Sequence, residues 1–336
     1  MGVLIVSRFK VAPWKVALGV TLLGLWIYAY ISDGDITNSV VASGMRFGMP
    51  LALAAMVGIM CERSGVINIG IEGTMLLSGF TGFYVASWSK NIIVGLMISI
   101  ATGIITSFIH AMMTIRWKMD QIIAGTIINI LASGLTSFLY KEGSTIPNSW
   151  PIFDLPLLSR IPFIGHAFFT QQGPLQYLGL LLIPAIWIMM YKTRWGLRTR
   201  AVGENPGSAD TAGISVIKVR MINVMIGGAI GGLVGGFICL ELVGSFSKEF
   251  TAGAGFTALA LMIFGRWNPL GAFAAAILFG LAQALSTQLQ IFGVTNVPNQ
   301  FITMLPYVFT IVVLAVSAGK VRPPAAAGRP YEKEQA

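Results

Sequence analysis

Charge is scarce in this sequence. Of its 336 residues only 10% are Asp, Glu, Lys or Arg, while 55% are hydrophobic and the mean hydropathy is +0.77. Soluble domains contain about 25% charged residues. A soluble fold of this length could not bury so much apolar surface, so the composition excludes that class and predicts an all-α polytopic membrane protein.

Cysteine and histidine are also scarce, with two of each. Cys61 and Cys239 lie in or beside apolar segments, which argues against a disulfide framework. His110 and His166 have no Cys or carboxylate cluster nearby, so we expect no metal site and no cofactor. A membrane-embedded enzyme would need several convergent His, Asp, Ser or Lys residues at membrane depth. The sequence offers almost none, and we expect no catalytic residues.

Ten apolar segments approach the roughly 20 residues that a membrane-spanning helix needs. The first, after Arg8, Lys10 and Lys15, is better explained as a retained signal anchor than as a cleaved signal peptide. The eighth is the weakest, because it is short and rich in Gly, Ala and Thr. The predicted spans are 14–31, 38–60, 70–87, 92–115, 121–140, 175–191, 221–243, 251–265, 269–289 and 302–318.

The basic residues predict the orientation of these spans. With ten crossings and both termini in the cytoplasm, 17 of the 22 Lys and Arg residues fall in cytoplasmic segments. Removing the doubtful eighth crossing would place Arg266 and the C-terminal tail outside, against the positive-inside rule. The net charge of +9 is explained in this way, and no nucleic-acid motif accompanies it.

Outside the spans, two long loops stand out within a membrane domain of residues 1–318, and a separate tail follows that domain. An outer loop, 141–174, is rich in Pro and aromatic residues, and an inner loop covers 192–220. The tail 319–336 has the composition of a disordered segment. Glycine-interrupted elements around 65–73 and 253–265 occur one in each half of the chain. Such a pairing indicates a transporter's substrate path.

The stretch 61–76, CERSGVINIGIEGTML, interrupts two apolar runs with charges, an amide and three glycines. We expect Asn68 and Glu72 to lie at the start of a helix that re-enters the membrane. Glu72 either caps its own helix, where the dipole favours an acid, or belongs to a gate. Arg46 either extends to the headgroups or lines a cavity. Asn129 either joins helices or contacts substrate.

The inner loop contains RWGLRTRAVGENPGSADTAGISVIKVR. Asn205 and Pro206 can start a short helix, since Pro suits the first helical turn. Gly213 can end it. A short helix among basic residues on the cytoplasmic face is suited to docking, although a plain solvated loop would have the same composition.

The chain resembles the integral-membrane permeases of ATP-binding-cassette importers, in the branch that serves simple sugars, nucleosides and branched-chain amino acids. The resemblance runs from about residue 46 to 318 and is most specific in ERSGVINIGIEG (62–73), DQIIAGTIIN (120–129), and RTRAVGENP with DTAGI (198–214). The form NIGIEG is similar to the nucleoside and simple-sugar type. The resemblance implies a transport subunit in the plasma membrane that pairs with a second permease, identical or paralogous. It also implies two ATPase subunits and an extracytoplasmic substrate-binding protein.

In such permeases the inner loop holds a coupling helix with the pattern E-A-A-x-x-x-G. Ala209 and Gly213 match it, whereas Gly207 and Ser208 replace the glutamate and the first alanine. The resemblance therefore implies that Glu204, Asn205, Pro206, Ala209 and Gly213 belong to the ATPase-coupling loop, with small residues allowing close approach to the partner.

Two transport mechanisms remain open from the residues alone. ATP would have to be hydrolysed by another chain, because no G-x-x-x-x-G-K-[ST] motif occurs here. The alternative is an ion-coupled secondary transporter with Glu72 or Glu241 as the proton-coupling carboxylate.

Overall fold

The computed structural model describes residues 34–141, 146, 150–153, 169–170, 172–292, 298–317 and 322–332. Within them the chain is helical, apart from turns and one isolated β-bridge between Phe153 and Gln172. The helices are α1 Gly34–Glu62, α2 Ile71–Ser89, α3 Ile92–Ala111, α4 Gln121–Leu139, α5 Pro174–Lys192, α6 Arg194–Glu204, α7 Pro206–Thr211, α8 Val216–Gly236, α9 Ala254–Phe264, α10 Pro269–Ile291 and α11 Asn299–Ser317. Two of them continue as π-helix, α3 over Met112–Arg116 and α8 over Phe237–Val243.

Six segments of the described chain are long and apolar enough to cross a membrane, and they match six of the predicted spans. These are Ile36–Glu62, Ile92–Arg116, Gln121–Leu139, Pro174–Lys192, Val216–Val243 and Pro269–Ile291. The multi-pass helical class is therefore confirmed. The predicted spans 70–87 and 302–318 correspond to α2 and α11, which are not among the six, and 14–31 lies outside the described residues.

The eighth predicted span, 251–265, is a helix over only part of its length. Its helix, α9, has 11 residues. At 1.5 Å per residue it measures about 16 Å, roughly half of the hydrocarbon core. The preceding residues 244–253 are not helical, and Gly253 ends them in the left-handed conformation with φ of 82°. The structure thus contains a broken element here, while the total of ten crossings stays a prediction.

The bundle is built around α1. This helix packs against α5, α8, α9 and α10, and Ala52, Leu53, Met56 and Val57 are all fully buried. Residues 49–61 of α1 are all buried, which explains why this part of the helix is apolar on every side, since a helix that is hydrophobic all round lies in an interior. Glycines permit the close contacts between helices, as Gly103 shows on α3, where an added Cβ would collide with the backbone of α8.

One end of the bundle collects basic residues, and we call it the basic end. Arg63 donates to the carbonyl oxygen of Arg266, and Arg220 donates to that of Ser64. Lys118 forms an ion pair with Glu332 at 2.7 Å. The helices α6 and α7 lie at the same end, since the Gly203 carbonyl of α6 accepts a hydrogen bond from Ala326.

The tail differs from the expectation of disorder over its described part. Residues 322–332 lie against the basic end, and Ala326 is 5% exposed. Composition pointed to disorder because the tail has few large apolar residues. Its described part packs through backbone hydrogen bonds, the buried Ala326, the Tyr331 ring and the ion pair of Glu332. Residues 318–321 and 333–336 lie outside the described residues.

Candidate substrate path and coupling segment

The stretch 61–76 folds back from the basic end into the bundle alongside α4. Ile67 donates its N–H to the Gln121 side chain at the start of α4, at 2.6 Å. Further on, Gly73 donates to the Asn129 Oδ1 at 2.8 Å, and the Asn129 amide donates to the Ile69 carbonyl. Since Asn129 is eight residues into α4, these contacts lie about 12 Å beyond its first residue. The stretch therefore penetrates the bundle instead of closing a surface turn.

Glu72 caps a helix, but not its own. Its carboxylate accepts hydrogen bonds from the Thr251 hydroxyl at 2.6 Å, the Gly253 N–H at 2.8 Å and the Gly255 N–H at 2.6 Å. These donors lie at the N-terminus of α9, where N–H groups have no partner within the helix and the dipole favours negative charge. An added Cβ at Gly255 would lie 2.6 Å from the Glu72 backbone nitrogen, so only glycine permits this contact.

The other end of α9 is also attached to the 61–76 stretch. Trp267 donates its indole N–H to the Glu62 carboxylate at 2.6 Å, and Arg63 donates to the Trp267 carbonyl at 3.0 Å. The two glycine-interrupted elements noted in the sequence are thus in direct contact at both ends of α9. Their spacing in the sequence suggested only a symmetry between halves.

Glu241 has a function similar to that of Glu72. It accepts hydrogen bonds from the N–H groups of Leu175 at 2.8 Å and Gln176 at 3.2 Å, at the N-terminus of α5. Two partly buried carboxylates therefore each neutralise the positive end of a helix distant in the sequence.

Two cavities meet at the broken element. The first, which we call the Arg46 cavity, has a volume of about 510 Å³. Its lining includes Ser43, Arg46, Phe47, Phe250, Thr257, Phe279, Gln283 and Tyr307. The second, the Glu72 cavity, has a volume of about 600 Å³ and is lined among others by Glu72, Asn129, Ser133, Glu249 and Phe256. Thr251 and Ala252 line both, so this pair of residues separates the two spaces.

The four residues predicted for the substrate path are therefore divided. Arg46 lines the first cavity, where its Nε lies 3.4 Å from the Gln172 side-chain oxygen. Glu72 and Asn129 line the second cavity. Asn68 lines neither of them: it is 1% exposed and its amide donates to the Cys61 sulfur at 3.6 Å. Its position in the structure favours a packing role.

The predicted short helix of the inner loop is confirmed as α7. Asn205 is its N-cap, with the side chain accepting from the Ser208 N–H at 3.0 Å, and Pro206 is its first residue. Gly213 follows the helix with φ of 80°, a conformation that favours glycine. Glu204 ends α6 and is exposed.

Ala209 differs from the expectation that its small side chain faces a partner. It is 4% exposed and packs inside the chain against Val202, Val216 and Val219. The exposed residues of this region are Glu204, Asn205, Gly207, Ser208, Thr211, Ala212 and Gly213. The free surface of α7 is thus still made of small and polar residues, on the side opposite to Ala209.

Sequence reasoning did not identify Thr251 or Arg220 as site residues. Thr251 had no local signal, because only its contact with Glu72, 179 residues earlier, distinguishes it from other threonines. Arg220 was counted among the loop charges, yet it is 2% exposed in the folded chain. Neither property is visible in a linear pattern.

Comparison with known proteins identifies the family of this chain. The nucleoside ABC transporter permease protein NupC of Lactococcus lactis is 37% identical over 88% of this chain and 97% of its own length. The guanosine ABC transporter permease protein NupQ of Bacillus subtilis is 38% identical over 89% of this chain and 98% of its own. The glucose ABC transporter permease protein TsgB13 of Haloferax volcanii is 28% identical over 78% and 73%. The protein-family model described as branched-chain amino acid transport system, permease component, matches residues 40–316 of this chain. The chain therefore belongs to this family of ABC transporter permeases.

Proposed function

We propose that this permease forms the path for an uncharged nucleoside. The observation that carries the proposal is the lining of the Arg46 cavity, where Phe47, Phe250, Phe279 and Tyr307 surround a space of about 510 Å³. Nucleobases stack on aromatic side chains, with about 1–3 kcal/mol per base. Ser43, Thr257 and Gln283 line the same cavity and offer hydrogen-bonding groups for a sugar. The names of NupC and NupQ support the same substrate class.

The charged side chains that line the two cavities are Arg46, Glu72 and Glu249, and their excess of negative charge favours a neutral solute over an anion. A free helix N-terminus is a ready site for phosphate or carboxylate. In this chain Glu72 occupies the N-terminus of α9 and Glu241 that of α5. A nucleoside lacks the phosphate that would compete with these carboxylates.

Residues 251–252 would act as the gate between the two cavities. They separate the spaces while Glu72 holds the adjoining helix N-terminus. Ala252 has φ of 44° and Glu249 has φ of 55°, left-handed conformations that cost of order 1–3 kcal/mol each in a residue other than glycine. A strained segment held by one carboxylate can change position when that carboxylate moves.

The segment 192–220 would couple this gate to ATP hydrolysis. The free face of α7, with Asn205, Pro206 and Gly213 at its ends, would dock on an ATPase subunit, and Glu204 lies beside it. The working transporter would contain two ATPase subunits, a second permease and an extracytoplasmic substrate-binding protein, in the plasma membrane. Ten crossings with both termini in the cytoplasm would place the basic end at the ATPases. The ion-coupled alternative has no support, since Glu72 and Glu241 both act as helix caps.

The test is uptake by the complete transporter, with ATPase subunits and binding protein, in lipid vesicles. We expect ATP-dependent uptake of labelled guanosine that unlabelled nucleosides inhibit and that ribose, glucose and GMP do not. Gln283→Leu should raise the KM for guanosine, because it removes a polar group from the Arg46 cavity. Gln290→Leu is the matched control on the same helix, outside both cavities.

Two outcomes would contradict the proposal. If glucose or ribose inhibits guanosine uptake as strongly as unlabelled nucleosides do, the solute that the path recognises is a sugar. Uptake driven by a proton gradient without ATPase subunits would favour the secondary transporter.

A further inference from the structure

The C-terminal segment 322–332 contacts three separate parts of the basic end. Its Ala326 N–H donates to the Gly203 carbonyl of α6 at 2.9 Å. Its Glu332 pairs with Lys118 in the turn between α3 and α4, and this cation lowers the pKa of Glu332. Its Tyr331 packs on the cluster formed by Val202, Ala209, Val216 and Val219. The segment therefore packs on the apolar cluster that also contains the buried Ala209 of the coupling helix α7.

Arg220 connects this segment to the start of the 61–76 stretch. Its Nε donates to the Ser64 carbonyl at 3.1 Å, and its Nη1 donates to the Arg329 carbonyl at 2.9 Å. Arg220 belongs to the first turns of α8, directly after the coupling helix. A planar guanidinium can join two carbonyls in a fixed geometry, which a lysine ammonium on a flexible stem cannot reproduce.

The turn at Gly65 completes the junction. Gly65 has φ of 90°, and an added Cβ would lie 2.7 Å from Arg220 Nη2 and 3.2 Å from the Ala326 carbonyl oxygen. The turn, the arginine and the tail therefore meet with no room for a side chain. Gly203 of α6 is also close to this turn, since a Cβ added at Gly203 would collide with the Arg63 carbonyl.

We propose that residues 322–332 and Arg220 form a strap that fixes the coupling segment to the turn at Ser64 and Gly65. Arg220 is a positioning residue: it touches no substrate and acts through the turn. Displacement of α7 would then move the 61–76 stretch as one body, and with it Glu72 and the gate at residues 251–252. This inference rests on the proposed function of the 192–220 segment as the ATPase contact.

The physical basis is the small size of α7. The helix α7 has six residues, and Ala209 is the one among them that is buried. The apolar cluster beneath it is completed by Tyr331 from the tail. If the tail were removed, α7 could shift on α8 without moving the turn at Gly65. ATP would then be hydrolysed without opening the path.

The experiment compares two neighbouring alanines in the complete reconstituted transporter. Ala326→Leu inserts a larger side chain at a position that is 5% exposed, whereas Ala325→Leu makes the same change at an exposed position. We expect Ala326→Leu, and a chain ending at residue 321, to lower the number of solute molecules imported per ATP hydrolysed by about fivefold or more, the lower range of site-to-site coupling. Ala325→Leu should retain the wild-type ratio. Arg220→Lys should lower it, because one of the two carbonyl contacts is lost.

Co-purification of the ATPase subunits and melting temperature are measured in parallel. A wild-type import ratio in the truncated chain and in Ala326→Leu would overturn the strap while leaving the proposed function intact. Lower melting temperatures with an unchanged ratio in the surviving complexes would also overturn it, by leaving the segment a structural role alone. Failure of the wild-type transporter to import any nucleoside would instead refute the proposed substrate.

Discussion

Replacing Glu72 by Gln should open the gate at the start of α9. One carboxylate oxygen accepts from Thr251 and Gly253, and the other accepts from Gly255. Glutamine keeps one acceptor oxygen and places an NH2 group against the third donor. Hydrogen bonds to a charged group contribute about 1.5–3 kcal/mol each. Loss of one, with weakening of the other two and of the dipole interaction, should destabilise this contact by about 2–3 kcal/mol.

The matched control is Glu249→Gln, the same chemical change in the same cavity. Glu249 is exposed, and its carboxylate accepts from Ser133 at 3.1 Å but caps no helix. Both variants are reconstituted in vesicles with the ATPase subunits. Melting temperature and nucleoside flux without ATP are measured for each.

We expect Glu72→Gln to lower the melting temperature by several degrees and to raise the ATP-independent flux, because the two cavities would join. Glu249→Gln should leave both quantities near wild type. If Glu72→Gln gives the same melting temperature and flux as Glu249→Gln, the carboxylate does not hold the gate and the reasoning is wrong.

Three further perturbations have defined outcomes. Asn205→Ala removes the N-cap of α7 and should destabilise that helix by about 1 kcal/mol, seen as faster hydrogen exchange over residues 206–211 and weaker ATPase co-purification. Gly103→Ala should sharply lower the yield of folded protein, because its Cβ would collide with α8, whereas Gly134→Ala meets nothing within 4 Å and should be neutral or stabilising by melting temperature. The ion pair of Lys118 with Glu332 lowers the pKa of Glu332 below its ordinary 4.5. The contribution of this ion pair to stability should therefore be complete above pH 4.5. It should be lost as the pH falls through the lowered pKa of Glu332. Carboxyl NMR titration against Lys118→Ala tests this.

Helix limits were predictable where the signal is local. Asn followed by Pro starts both α7 and α10, since the amide caps the first N–H groups and the ring suits the first turn. Gly213 was recognisable as a helix end because few other residues adopt its φ. The glycines predicted an interrupted element around 253–265, but the length of α9 depended on what holds its first turn.

The roles of individual charges were much harder to predict. Glu72 was expected either to cap its own helix or to belong to a gate. Its carboxylate instead caps α9, with donors 179–183 residues away, beside the proposed gate. Ala209 was expected to face a partner and packs inward. In both residues a short-range pattern allows several orientations, and the neighbouring helices select one.

The sequence by itself determined the membrane class, the permease family and the position of the short inner helix, because hydropathy, motif and capping are properties of neighbouring residues. Only the tertiary structure decided that Thr251 and Ala252 separate two cavities, and that Arg220 joins the tail to the turn at Gly65. These contacts connect residues more than a hundred positions apart. Their free energy depends on burial and geometry that arise only when the helices have packed.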